Sequence, residues 1–187
     1  MNAVSSLTNN LLIAMPTLAD PNFARTVTWI CEHSSEGAMG IVVNRPTNLV
    51  LRDILDQLEI DAAHSIHADV PVYFGGPVQN SRGFVLHEPI GKWEATLAVT
   101  DTLGVSTSRD ILEALARNEG PDRYLITLGY AGWGAGQLER EISENSWLNA
   151  PASAEILFTL PPEQRWKAAA RLTGVDLSNL SAEAGHA

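Results

Sequence analysis

An α/β fold on a mixed sheet is what this sequence predicts, and two patterns predict it. The first half runs as short β-patterned segments joined by tight polar loops, interrupted by one helical stripe. The second half alternates helix and strand patterns, and one of its helices is entered through a stretch unusually rich in glycine.

Taken in order, Leu11 to Met15 is the first expected strand, closed by Pro16. Asp20-Pro21-Asn22 supplies a turn, because proline fixes φ and the Asp and Asn side chains bond their own backbone. Thr26 to His33 is rich in β-branched and aromatic residues. Alternation sets Val27, Trp29, Cys31 and His33 on one face, with Thr28, Ile30 and Glu32 on the other. The polar segment Ser34 to Gly37 then leads into a strand from Gly40 to Asn44, forming an antiparallel hairpin. Arg45-Pro46 ends it, since proline cannot donate to a ladder.

Leu51, Ile54, Leu55 and Leu58 recur at i, i+3, i+4 and i+7, one stripe of a short amphipathic helix. His64 and His67 follow in a polar loop. Val70 to Phe74 reads as a strand broken by Gly75-Gly76-Pro77; Phe84 to His87 and Glu94 to Thr100 read as two more. Ser108 is placed to cap a helix, with Asp110 in its first turn and Ile111, Leu112 and Leu115 as the buried stripe. Gly120-Pro121 stops that helix, and Tyr124 to Leu128 is the next strand. Ile156 to Phe158 is expected as the last strand. Pro161-Pro162 opens the final helix, with Trp166, Ala169, Ala170 and Leu172 inward and Gly174 at its end. Residues 181–187 read as a disordered tail.

A chain of 187 residues fits a single domain over 1–187, with room for a minor lobe around residues 46–80. Its hydrophobic share of 45% and charged share of 18% are those of a soluble globular protein. Net charge is −10, from 12 basic and 22 acidic residues, and Lys92 and Lys167 are the sole lysines. Nucleic-acid affinity rests on basic groups that neutralise phosphates, so direct DNA binding is disfavoured. Cys31 is the lone cysteine, which excludes an intramolecular disulfide and suits a reducing cytosol. The N-terminus has no basic region before its short apolar run, so a cytoplasmic protein without a membrane span is expected.

The chemistry most worth attention lies between Leu125 and Trp147. An apolar run enters an expected turn carrying Gly129, Gly132, Gly134 and Gly136, and a helix from Gln137 to Glu144 follows. Helix N-termini carry unpaired N–H groups that suit an anion or carbonyl. Two nucleotide fingerprints fail here. A phosphate-binding loop needs lysine and a hydroxyl after its last glycine, whereas Gln137 and Leu138 follow Gly136. The dinucleotide motif needs a third glycine where Glu139 stands.

Several segments together resemble the YqgE/AlgH family of bacterial proteins: LIAMPTLADPNFARTV (Leu12 to Val27), CEHSSEGAMGIVVNRP (Cys31 to Pro46), VYFGGPV (Val72 to Val78), RGFVLH (Arg82 to His87) and LGYAGWGAGQLEREI (Leu128 to Ile142), with a late LF…RW pair. The resemblance runs from about Leu11 to about Leu180. It implies a cytoplasmic α/β protein whose mixed, largely antiparallel, bifurcated sheet forms a pseudo-barrel flanked by about four helices. It implies no particular reaction. One branch of the family is named as a transcriptional regulator of alginate synthesis.

Candidate ligand-binding residues follow from position. Gly132, Trp133 and Gly136 belong to the glycine stretch, and Gln137 and Glu141 share one face of the helix after it. Arg25, Asn44 and Arg45 sit at strand ends, where arginines can hold a carboxylate or phosphate, or else an acidic side chain. His33 is read as a core or rim histidine on the Trp29 face, and it is also a candidate base. In Glu32-His33 and His87-Glu88 the neighbours point to opposite faces, so neither pair acts together. No catalytic residue, metal site or cofactor is assigned. A His33–His87 metal site lacks a third ligand, Cys31 reads as buried, and no nucleophile-elbow motif exists.

The reading that follows is a non-catalytic binding or regulatory protein, extending to indirect transcriptional regulation, that uses a cleft beside Gly129–Gln137 for a small-molecule or protein partner. The alternatives are a small-molecule hydrolase or transferase with Glu141 or His33 as base, and a direct DNA-binding regulator that the net charge disfavours. The sequence specifies no oligomeric state.

Overall fold

The computed structural model describes residues 6–177, so the tail expected at 181–187 lies outside them. Ten strands form one sheet that curls into a half-barrel. In chain order they are β1 (Asn10–Ala14), β2 (Val27–Ser34), β3 (Gly37–Val42), β4 (Pro46–Val50), β5 (Pro71–Phe74), β6 (Val78–Glu88), β7 (Thr96–Ala98), β8 (Gly104–Ser106), β9 (Arg123–Gly134) and β10 (Trp147–Pro151). The helices are α1 (Leu51–Gln57), α2 (Arg109–Ala116), α3 (Gln137–Ser143) and α4 (Pro162–Arg171), with a π-helical turn at Glu155–Thr159. The main path runs β10-β1-β2-β3-β9-β6-β8-β7. All of its pairings are antiparallel; β5 alone runs parallel to β9.

β9 is the strand at which the sheet divides. One of its edges pairs with β6, while the other carries β5 at residues 126–128 and β3 at residues 131–134. Between those two partners stands Gly129, at φ +80°. A Cβ there would lie 2.3 Å from the Gly76 carbonyl oxygen and 3.0 Å from the Asn80 Cα, so the β5–β6 crossing needs a residue with no side chain. The left-handed backbone also resets the alternation of β9. Leu125 before it and Tyr130 after it belong to the same core, whereas Ile126 and Trp133 face the other side. The expected glycine turn is therefore a correction: Gly129, Gly132 and Gly134 lie inside one long strand, and the chain turns only at Ala135 and Gly136.

Three clusters make the core. The concave face holds Leu11, Ile13, Val27, Trp29, Ile41 and Leu86, capped over part of it by Ile156, Leu157, Trp166 and Ala169. Burying a side chain such as Leu11 or Ile13, both 0% exposed, contributes roughly 1.5–3 kcal/mol. On the convex face α1 and α2 pack over Val72, Val85 and Ile126. A third cluster joins α3 to Ile30, Trp133 and Trp147. Polar tips pin the cap. Trp166 Nε1 donates to the Ala14 carbonyl at 2.8 Å, and the buried Arg165 donates to Leu160 O and Val43 O at 2.9 and 2.6 Å. Among the described residues no helix is long and apolar enough to cross a membrane.

Other expectations are also corrected. Ile156 to Phe158 lies in the π-helical turn, and the last strand is β10, which begins on the buried Trp147. Leu172 is 54% exposed, so Arg165 joins Trp166, Ala169 and Ala170 on the inner face of α4 instead. Leu58 is 36% exposed while Leu51 and Leu55 are fully buried, so the α1 stripe stops a turn early. Ser108 stands at the start of α2, yet its hydroxyl accepts the Ala95 N–H at 3.0 Å and donates to Asp110 instead of capping. The edge strand β4 and the three-residue β8 carry no strand signal strong enough to predict.

Candidate functional site

The candidates of the glycine stretch do meet in space, around α3. Gly136 at φ +74° turns the chain from β9 into this helix. Gln137 Oε1 then accepts the Gly134 N–H at 3.0 Å, closing the turn. One helical turn on, Glu141 is a hub. Oε1 accepts the indole N–H groups of Trp133 and Trp147, both at 3.0 Å, and Oε2 accepts Gln137 Nε2 at 2.8 Å. The two indoles pack edge-to-face at 6.2 Å, with Phe23 against each. Both carboxylate oxygens are thus committed to structure.

His33 belongs to the same side, contrary to the alternation expected for β2. A bulge between Ile30 and Glu32 leaves Cys31 and Glu32 both toward the concave face, so His33 emerges opposite Trp29, across from Ala38. Its Nδ1 accepts the Leu7 N–H at 2.8 Å, which places the ring proton on Nε2, facing the Glu139 carboxylate of α3. That hydrogen bond holds the Glu139 carboxyl below its usual range. The His33 side chain is 2% exposed and both ring nitrogens are engaged. Glu139 was invisible as a partner because 106 residues separate it from His33.

Arg25, Asn44 and Arg45 form a separate group, and the contacts of their side chains are with backbone and an aromatic ring. Arg45 donates to the carbonyls of Pro21, Asn22 and Ala24 at 2.7, 2.8 and 2.7 Å. Asn44 donates to Arg25 O and accepts the Val27 N–H, both at 2.9 Å. Arg25 lies over the Trp166 ring at 5.2 Å. The trio clamps the segment before β2. Elsewhere, burial pushes the Cys31 thiol well up, away from the reactive thiolate. The fully buried His87 donates from Nδ1 to Pro89 O at 2.9 Å and accepts the Ser106 hydroxyl at 2.7 Å. Burial lowers its pKa. Among the described residues no group of three or more His, Cys, Asp or Glu could hold a metal.

What remains open is the concave face. α4 and the π-helical turn cover part of it, and a groove lies beyond them. Its first section, about 810 Å³, runs over Met39, Tyr130 and Gly132 between Glu32 and Glu36 and reaches around the β2–β3 hairpin to His33, Ala38 and Trp133. Met39 and Tyr130 also line the next section, about 480 Å³, whose apolar floor is Phe84, Leu97 and Val105. Phe84 and Tyr130 stack edge-on at 5.8 Å. Gly132 pairs with Met39 across β3 and β9, and the absence of a side chain there keeps the floor low. A second, separate cavity of about 450 Å³ lies between α1 and α2, lined by Leu49, Ile54, Leu58 and Leu112 with Asp53 and Arg109. Met39 and Phe84 gave no functional signal of their own, because an apolar residue in a strand reads as core.

A curled, dividing sheet with a partly open concave face defines a class of α/β half-barrel proteins, and the comparisons agree. A family model described as AlgH-like matches residues 11–178. The UPF0301 protein Tgr7_2910 of Thioalkalivibrio sulfidiphilus is 58% identical over 187 residues, covering 100% of both chains. A UPF0301 protein of Methylococcus capsulatus is 58% identical over 96% of each chain. The solution structure of the AlgH protein from Pseudomonas aeruginosa superposes with a TM-score of 0.80 at 52% identity, covering 100% of this chain and 99% of that one. The crystal structure of DIP2367 from Corynebacterium diphtheriae shares the fold, with a TM-score of 0.69 at 22% identity over 91% of this chain and 89% of that one. The chain belongs to the AlgH-like family, as its sequence motifs implied.

Proposed function

We propose that this chain is a cytoplasmic, non-catalytic binding protein whose ligand occupies the open part of the concave face, beside the Gly129–Gly134 strand. The observation that carries the reading is the continuous groove over Met39 and Tyr130, apolar in floor and polar at its rim. Its second section falls within the size range of small-molecule sites, roughly 300–1,000 Å³. The groups that would serve a hydrolase, His33 and Glu141, have their polar atoms engaged by Leu7, Glu139, Trp133, Trp147 and Gln137. Any regulatory role then runs through the bound state. Direct contact with DNA fits poorly, since a net charge of −10 repels phosphate.

The test is a thermal-shift screen of metabolites against the wild type and Gly132→Leu. A Cβ at Gly132 meets only the Tyr130 ring edge, at 3.7 Å, so the variant should fold with its groove filled. A ligand that stabilises the wild type and not Gly132→Leu supports the reading. Ligands that stabilise both equally bind elsewhere and refute it.

A further inference from the structure

The geometry points to a ligand class: a free monocarboxylate with a compact apolar or aromatic body, its acid group on Arg82 and its body on Phe84 and Tyr130. This rests on the groove reading above and narrows it.

Arg82 is placed by an irregularity in β6. The β6–β9 register passes from Val78↔Tyr130 directly to Gly83↔Leu128, so four residues stand off from the ladder. Gln79, at φ +47°, holds the unusual conformation of that stand-off. Bulges of this kind re-aim side chains, and this one carries the guanidinium to within 5.6 Å of the Phe84 ring centroid, at the rim of the 480 Å³ section. Its protein partners there are neutral and distant: Gln79 Oε1 at 3.3 Å and Thr107 Oγ1 at 3.5 Å. Among the described residues Arg82 makes no ion pair, which it shares with Arg25, Arg45, Arg140, Arg165 and Arg171, but of these it alone lines the 480 Å³ section. A guanidinium has five donors in a planar fork matched to a carboxylate, so most of its donor capacity is unspent.

Charge selects the ligand further. Arg82 is the sole charged residue lining this section, with Thr96 and Thr107 adding hydroxyls. Arg82 also borders the cavity between α1 and α2, where Asp53 and Arg109 are the other charged residues, but that cavity has no aromatic side chain in its lining to hold a ring. At the far end of the groove Glu32 and Glu36 repel a second negative group. In a chain of net charge −10, a section with a single arginine suits a monoanion better than a polyphosphate. The apolar floor and the Phe84–Tyr130 pair require that the anion carry a body, which excludes acetate-sized ions.

The experiment is NMR titration of the full chain, with labelled methionine methyls and aromatic rings, by hydrocinnamate, its neutral amide, phenylpropylamine, acetate and inorganic phosphate. Hydrocinnamate should shift the Met39 methyl and the Phe84 and Tyr130 rings, with the amide and amine weaker and acetate and phosphate without effect. Arg82→Gln, on an exposed residue with only weak bonds to lose, should fold and weaken hydrocinnamate about tenfold or more, with Arg82→Lys between. If the amide and amine shift the same signals as tightly, or Arg82→Gln leaves hydrocinnamate unchanged, the carboxylate assignment fails while the groove reading stands. If phosphate or acetate binds at Arg82 as well as hydrocinnamate does, the apolar body is irrelevant and the assignment fails. If no probe of any charge shifts Met39, both readings fall.

Discussion

Replacing Glu141 tests the reassignment of the α3 face from ligand site to structural hub. In Glu141→Ala the indole N–H groups of Trp133 and Trp147 lose their acceptor, and Gln137 Nε2 loses its own. Trp133 is 7% and Trp147 3% exposed, so neither indole is freely rehydrated. An unsatisfied buried donor costs about 1–3 kcal/mol, and bonds to a charged acceptor lie at the upper end. Glu141 itself is half-buried, so water recovers part of the loss, leaving an expected destabilisation of about 2–4 kcal/mol. For a chain of this size that is a fall in Tm of roughly 5–12 °C. Urea unfolding gives the free energy, and the indole ¹H–¹⁵N resonances of Trp133 and Trp147 report the local change. Glu141→Gln keeps an acceptor oxygen for the indoles but faces Gln137 with an amide, so it should cost about half as much. A Glu141→Ala protein within about 0.5 kcal/mol of wild type, with both indole signals unmoved, would refute the hub and free this carboxylate for a ligand.

Other consequences are measurable. Gly129→Ala places a Cβ 2.3 Å from a backbone oxygen at φ +80°, and should cost about 3 kcal/mol or more, while Gly132→Ala should stay within about 1 kcal/mol in the same urea series. Arg45→Ala removes three bonds to the carbonyls of Pro21, Asn22 and Ala24, and hydrogen exchange at Phe23 and Ala24 should accelerate; unchanged rates would count against the clamp. His87 is buried with a depressed pKa, so the unfolded state binds its proton first as pH falls below 6.5. The stability this neutral ring contributes is present above pH 6.5 and is lost toward its lower folded pKa. His87→Gln should flatten that slope, and an unaltered slope assigns the pH dependence to other groups. Cys31, 2% exposed with its thiol pushed up, should resist iodoacetamide in the native protein and react once urea unfolds it.

The sequence by itself determined the class of fold, most of the elements and the family. Period-two runs such as Val27 to Cys31, the α1 and α2 stripes and the proline before α4 are local signals, set by side-chain spacing and backbone chemistry. It also named residues that meet in space: His33, Trp133, Gln137 and Glu141 gather around α3, and Arg82 lies in a motif that carried the family resemblance. What only the tertiary structure decided was the use of each group. Two bulges, at Cys31 and at Gly129, each shift the alternation by one residue, and a single-residue slip exchanges the faces of a strand. Neither slip has a local signature, because a glycine at positive φ inside a strand and one in a turn read alike. The short strands β4 and β8 exist because neighbours pair with them. The His33–Glu139 pair arises from contact between α3 and a strand distant in the chain, and the Glu141 hub from the way the flanking β9 and β10 bring both indoles to one carboxylate. The groove is the part of the concave face that α4 leaves uncovered, and how far a helix reaches across a curled sheet is a property of the assembled chain.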